Sequence, residues 1–139
     1  MTEIAAEPWP EPPLAGTEAA AVLGALERRR ATLAWKCSGL DAAGLRATLG
    51  TSAITLGGLL KHLAHVEDRH FARLWCGTPV GEGGLDQLGA YTTRSGERPN
   101  LRRVLLDLVE EYARHAGHAD LIRESVDGLT GEDPPRWTW

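Results

Sequence analysis

Glu111, His115 and His118 stand close together in "EEYARHAGHAD", residues 110–120, and His62 stands in "KHLAHVED", residues 61–68. These are residue types that hold divalent cations or move protons. On a helix, Glu111 and His115 stack one turn apart on the same face, a spacing at which one ion reaches both. A carboxylate and two imidazoles that leave coordination positions open form the donor set of a catalytic divalent metal, and suit Zn²⁺, Ni²⁺ or Fe²⁺. The same residues admit a second reading, a buried acid–imidazole pair or a polar groove at a dimer seam. Either way the carboxylate needs a partner. Burying it bare costs several kcal/mol, on the order of a whole side chain's contribution, or forces it to take up a proton.

The elements that must position these groups are two long helices. "NLRRVLLDLVEEYARHAGHADLIRESVDG", residues 100–128, predicts the later one, with Asn100 as N-cap and an end near Gly128. At about 100° per residue, Leu101, Val104, Leu108, Ile122 and Val126 make one apolar stripe. Glu111, His115 and His118 fall within about 40° of Val104, inside that stripe. The earlier helix is predicted to begin at Thr55 and to run to about Cys76, where Gly77 and Pro79 end it. On its wheel His70 and Glu67 lie in the apolar face, His62 on the flank, and His65 points to solvent. Depth separates the candidates better. With the two helices antiparallel, His62 lies about 20 Å from Trp75, while Glu111 and His115 lie about 15 and 21 Å from Leu101. His70 lies only about 8 Å from that end, off the level of the pair. The expectation is therefore a His62/Glu111/His115 set at mid-depth. His70 is expected to pair with a neighbour such as Glu67.

The rest of the chain reads as an all-α scaffold. Thr17 caps a first helix, "EAAAVLGALERRRATLAWKC", whose stripe of Ala19, Val22, Leu26, Leu33 and Cys37 has Arg29 and Arg30 at its margins. "SGLDAAGLRATLG" is a connector with a turn of helix after Asp41, and residues 77–99 are Gly-rich loop with one short turn around "LDQLGAY". The expected domains are an extended Pro-rich arm at 1–13, a helical bundle at 14–132 and a tail at 133–139. Trp35 and Trp75 are expected as packing anchors, and Trp137 and Trp139 to fold back on the bundle or sit at a dimer contact. At 139 residues the chain is one domain's worth of sequence, and its net charge of −4 with one dispersed basic cluster, "ERRR" at 27–30, argues against nucleic acid. No run is apolar enough for a membrane span, and the acidic, Pro-rich start predicts a cytoplasmic protein. The two cysteines, Cys37 and Cys76, are expected as small hydrophobes rather than a disulfide.

"PLAGTEAAAVLGALERRRATLAWKCSGL", "TLGGLLKHLAHVED", "GERPNLRRVLLDLVEEYARHAGHADLIRESVDG" and "TGE" together resemble the DinB-like metalloprotein superfamily. Within it the chain is most similar to the mycothiol S-transferase-like branch, formerly a domain of unknown function. The resemblance implies a four-helix bundle of up-down-down-up topology. It implies a metal held by His62 on the second long helix and by Glu111 and His115 on the last, with His118 just behind that pair. It also implies that the metal binds the sulfur of a low-molecular-weight thiol such as mycothiol, which then attacks an electrophile. A thiol on a divalent metal loses its proton near neutral pH, so the implied chemistry is sound. Arg29 or Arg30 is the implied contact for a sugar-bearing thiol. In one respect the chain departs from the pattern: a loop stands where relatives have their third helix. That predicts an exposed apolar flank, homodimerisation and a metal site more open to water. It also keeps in play a non-catalytic metal- or ligand-binding helical dimer.

Overall fold

A computed structural model describes residues 9–76 and 79–134, and the architecture below refers to these. Each helix starts where a short polar side chain takes up a free backbone N–H. The Thr17 hydroxyl accepts from Ala20 N (3.2 Å) and opens α1, Glu18–Cys37. Asp41 accepts from Gly44 N (2.8 Å) and opens the short α2, Ala42–Arg46. Thr55 accepts from Gly58 N (3.0 Å) and opens α3, Leu56–Asp68. Asn100 accepts from Arg103 N (2.9 Å) and opens α4, Leu101–Asp127. Such caps contribute about 1 kcal/mol each. α3 does not stop at Asp68 but widens into a π-helical continuation, Arg69–Trp75, which ends at Cys76 in the left-handed region (φ 56°). α4 ends at Gly128, also left-handed (φ 78°). A single 3₁₀ turn, Gly84–Asp86, interrupts the loop between them.

The protein is an all-α bundle: among the described residues no strand forms, and Leu88 and Asn100 make one isolated antiparallel bridge. Polar cross-links show the directions of the rods. Arg102 pairs with Glu18 at one end of α1 and α4, and Asp120 and Arg123 reach Lys36 at the other, so these two helices run parallel. Arg30 meets Glu67, and the Cys37 thiol faces Leu56 O, so α3 runs antiparallel to α1. His62 faces Glu111 and His70 faces Asp107, so α3 is antiparallel to α4 as well. The topology is that of the expected bundle with a loop in place of its third helix.

That loop covers part of the flank the missing helix would have covered. Leu85 and the π-helical Phe71 and Leu74 pack on the core. Gly89 N donates to Pro99 O, and a Cβ at Gly89 would stand 2.7 Å from Leu74 O, so the loop lies against the end of the π-helical segment only because this residue has no side chain. A groove of about 330 Å³ remains between α1, Phe71, Leu85 and α4, with exposed Leu23 and Val80 on its walls.

The apolar core is built from Leu26 and Leu33 of α1, Leu56, Leu59 and Leu63 of α3, and Val104, Leu105, Leu108, Ala119 and Ile122 of α4. The inner face of α4 is rotated from the expected stripe. Leu105, Tyr112, Ala116, Ala119 and Arg123 are buried, which centres the face about 60° beyond Val104 and leaves Glu111, His115 and His118 at its margin. The physical reason is that an alanine, a tyrosine or an arginine takes an inner position when its neighbour suits it. Arg123 is the clearest case: it donates to Lys36 O (3.0 Å) and Ser38 O (2.6 Å), the last carbonyls of α1, and pairs with Asp127. Lys36 is fully buried beside it, with Nζ 3.1 Å from Asp120 Oδ1 and over the Trp35 ring; the pair has ion-pair distance without hydrogen-bond angles.

Trp75 is a buried anchor as expected, whereas Trp35 is half-buried and meets Trp9 edge-on at 6.4 Å between ring centroids. Residues 9–13 lie along α1, with Pro12 over Gly24 and Glu11 paired with Arg28. Cys37 is buried, and burial pushes its thiol up to about 11. Both cysteines are free, and Cys76, expected like Cys37 as a small hydrophobe, stands past the helix end and is exposed. The first eight residues of the arm, and Trp137 and Trp139, lie outside the described residues.

Candidate metal centre

α3 and α4 bring His62, Glu111 and His115 together. Glu111 Oε2 lies 3.3 Å from His62 Nε2 and 3.4 Å from His115 Nε2, and no two of the three donor atoms are more than 4.8 Å apart. Ligands at about 2.0–2.1 Å from a tetrahedral Zn²⁺ stand roughly 3.3–3.4 Å from one another. The two edges at Glu111 already have that length. The two imidazoles meet edge to face, 4.7 Å between centroids. The donor set fits a divalent cation, and the third edge, between the two imidazole nitrogens and within 4.8 Å, would draw in around it.

This cluster sits at the rim of the bundle, not in its core. The side chains of His62, Glu111 and His115 are 46%, 40% and 15% exposed. Glu111 is thus spared most of the cost of burial that its wheel position had suggested. His115 is the deepest of the three, and its imidazole pKa is lowered, first by burial and then by the charge of His62, against the opposing pull of Glu111. A neutral ring with a free lone pair is the form that binds a cation. Behind it, His118 Nδ1 lies 3.2 Å from His115 Nδ1. With a cation at Nε2, His115 would carry its proton on Nδ1 and donate it to His118 Nδ1, a contact that would fix the tautomer and the ring.

His70 stands apart from the three. Its Nδ1 lies 2.7 Å from Val66 O and its Nε2 3.8 Å from Asp107 Oδ2, a helical turn away from Glu111. A neighbour does satisfy His70, but it is Val66 O and not Glu67, because Glu67 has stronger donors. It accepts from Arg30 Nε (2.7 Å) and from the Tyr112 hydroxyl (2.6 Å). That network ties α1, α3 and α4 together beside Glu111, and burial followed by the bond to Glu67 pushes Tyr112 up to about 12. Sequence reasoning missed Tyr112, although Glu67 in an apolar face and Arg30 at a stripe margin were the signal that a third polar group was due. His65 is exposed, as expected.

Beside the cluster a groove of about 220 Å³ runs along Ala53, Ile54, Thr55, Gly58 and Leu59 and is closed by His62 and His115. Glu111 is not one of its walls. Arg29 and Arg30 do not line it either: Arg30 is held by Glu67 and Glu27 and borders the separate groove at Leu23 and Leu85, while Arg29 is half-buried on α1.

Residues 21–87 and 80–128 match the model of the family described as Mycothiol-S-transferase, within the DinB-like superfamily. The chain belongs to the mycothiol S-transferase family. All three donor residues fall inside the matched segments, which overlap at residues 80–87, in the loop before α4. No curated protein and no solved structure matches the chain. Among the described residues no helix is long and apolar enough to cross a membrane.

Proposed function

We propose that the protein is a divalent-metal-dependent thiol S-transferase that joins a low-molecular-weight thiol of the mycothiol type to a carbon electrophile. The gathering of three donor atoms from α3 and α4 within 4.8 Å of one another carries this reading, and membership of the family supports it. His62, Glu111 and His115 hold the cation, with Zn²⁺ the best match and Ni²⁺ or Fe²⁺ suited to the same donors. When bound, the cation lowers the pKa of a thiol so that the thiolate is available near neutral pH. The chain's own residues do the rest. His118 holds His115 in the donor tautomer. The half-exposed His62 and Glu111 leave an open mouth through which the thiol proton reaches solvent. Ala53, Ile54 and Gly58 form a low wall that admits a second substrate beside the imidazoles. The sulfur lone pair forms the S–C bond as the bond from carbon to its leaving group breaks, and that group departs with the bonding pair. This reading places the protein in the cytoplasm, where free thiols persist.

A non-catalytic metal-binding homodimer is the competing reading, favoured by the apolar groove with exposed Leu23 and Val80 where a helix is missing. Incubation of the Zn²⁺-loaded protein with mycothiol and monochlorobimane separates the two. Fluorescent conjugate that forms faster than in protein-free buffer and stops when the metal is chelated supports the transferase. A rate equal to buffer, with metal bound, leaves the binding dimer.

A further inference from the structure

A second hollow lies next to the groove at the metal cluster and has no part in holding the cation. It measures about 140 Å³ and is walled by Leu49, Ser52, Ile54, His118, Leu121 and Ile122. Ile54 belongs to both hollows, and His118, one wall of the second, touches His115, one wall of the first. The two hollows therefore adjoin at Ile54 and the His115–His118 pair, which puts the trough beside any molecule that reacts next to His62 and His115.

The chemistry of the trough is apolar. Four of its six walls are Leu or Ile, and the Ser52 hydroxyl is already engaged as acceptor of Ile54 N (3.2 Å). Leu49 and Leu121 remain 37% and 57% exposed, large apolar side chains turned to water beside a candidate reaction centre. A dry cavity of about 150 Å³ lined by Leu, Ile and Phe takes up benzene in another protein, so this volume corresponds to one aryl ring or a short alkyl chain. A sugar-bearing thiol needs many hydrogen-bonding walls, and the trough offers only the Ser52 hydroxyl and His118. It suits the other substrate.

We propose that this trough, built by the 49–54 segment and the Leu121–Ile122 edge of α4, binds the apolar group of the electrophile and makes the protein selective for aryl or short alkyl electrophiles over small polar ones. The inference rests on the thiol-transfer reading and deepens it. For benzyl chloride the ring occupies the trough and the benzylic carbon lies in the groove beside His62 and His115. The thiol sulfur forms the S–C bond, the C–Cl bond breaks with its electron pair to chloride, and the thiol proton passes to solvent.

Two measurements on the Zn²⁺-loaded protein test this. In the first, methyl groups of Ile and Leu are followed by NMR during titration with benzyl alcohol, an unreactive probe. Saturable shifts at Leu49, Ile54, Leu121 and Ile122, lost in Leu49→Trp and Leu121→Lys, are expected. Shifts confined to Leu23, Leu26 and Leu105, or no saturable shift, would overturn the assignment. In the second, the ratio of kcat/KM for benzyl chloride to that for iodoacetamide is compared between parent and variants. A pocket contact of this size discriminates roughly tenfold or more, so the ratio should fall by about that factor in both variants. A change below twofold in both would sink the proposal. Both leucines are substantially exposed, so neither variant should unfold, and circular dichroism checks this. Intact methyl shifts with no turnover of any electrophile would refute thiol transfer itself, and with it the assignment of the trough to an electrophile.

Discussion

His118→Phe isolates the contact that holds the innermost ligand. The substitution keeps a ring of similar breadth at the margin of α4 but removes the nitrogen that stands 3.2 Å from His115 Nδ1. Without that acceptor His115 is free to take the other tautomer, with its lone pair turned from Glu111, or to rotate away from it. A net hydrogen bond of about 1 kcal/mol corresponds to roughly fivefold in affinity, and partners behind metal-binding histidines are commonly worth 10- to 100-fold. His118 and His115 are only partly buried, so a loss near the lower end, about tenfold, is expected. Competition of the protein with a zinc-responsive dye at pH 7.5 reads the dissociation constant directly. The melting temperature of the metal-free variant should stay close to that of the parent, because no core contact is lost. A zinc affinity within twofold of the parent would show that His118 does not position His115.

Three further outcomes follow from the packing. His115 has its pKa lowered, so the unfolded chain binds the extra proton first on acidification; the neutral ring's contribution to stability is present above the unfolded value near 6.5 and is lost as pH falls through the folded value. Metal affinity should therefore hold through neutral pH and fall only on the acid side of the usual imidazole range, as a pH series of zinc titrations would show; loss beginning above pH 7 would contradict this. Arg123→Met removes charge-assisted bonds to Lys36 O and Ser38 O and leaves Asp127 unpaired, at a cost of roughly 3 kcal/mol. Urea unfolding measures it, and a loss under 1 kcal/mol would mean that water caps α1 instead. Tyr112→Phe leaves Glu67 its bond from Arg30 and should cost only about 1 kcal/mol, with zinc stoichiometry unchanged.

The features legible in the sequence are those set by local chemistry or by rigid length. Thr17, Thr55 and Asn100 cap their helices because the interaction lies within three residues, and Gly128 ends α4 because few other residues accept its φ. The choice of His62 over His70 as the residue facing Glu111 was visible as a depth, since antiparallel rods of fixed rise leave little freedom. Orientation about the rod axis was less legible. A stripe drawn through Leu, Ile and Val alone passes over Tyr112, Ala116, Ala119 and Arg123, whose inner positions depend on what α1 and α3 present to them. Lys36 and Arg123 are buried by groups more than eighty residues away, Asp120 for the one and the end of α1 for the other, which no local pattern announces. The π-helical widening after Asp68 likewise has no sequence mark.

Metal content is the most direct test of the cluster between α3 and α4. After purification without added metal chelators and reloading with Zn²⁺, elemental analysis of the parent should find about one zinc per chain, and Glu111→Ala, His115→Ala and His62→Ala should each retain a small fraction of it. Equal zinc in the parent and all three variants, or none in the folded parent, would mean that these three side chains grip no ion.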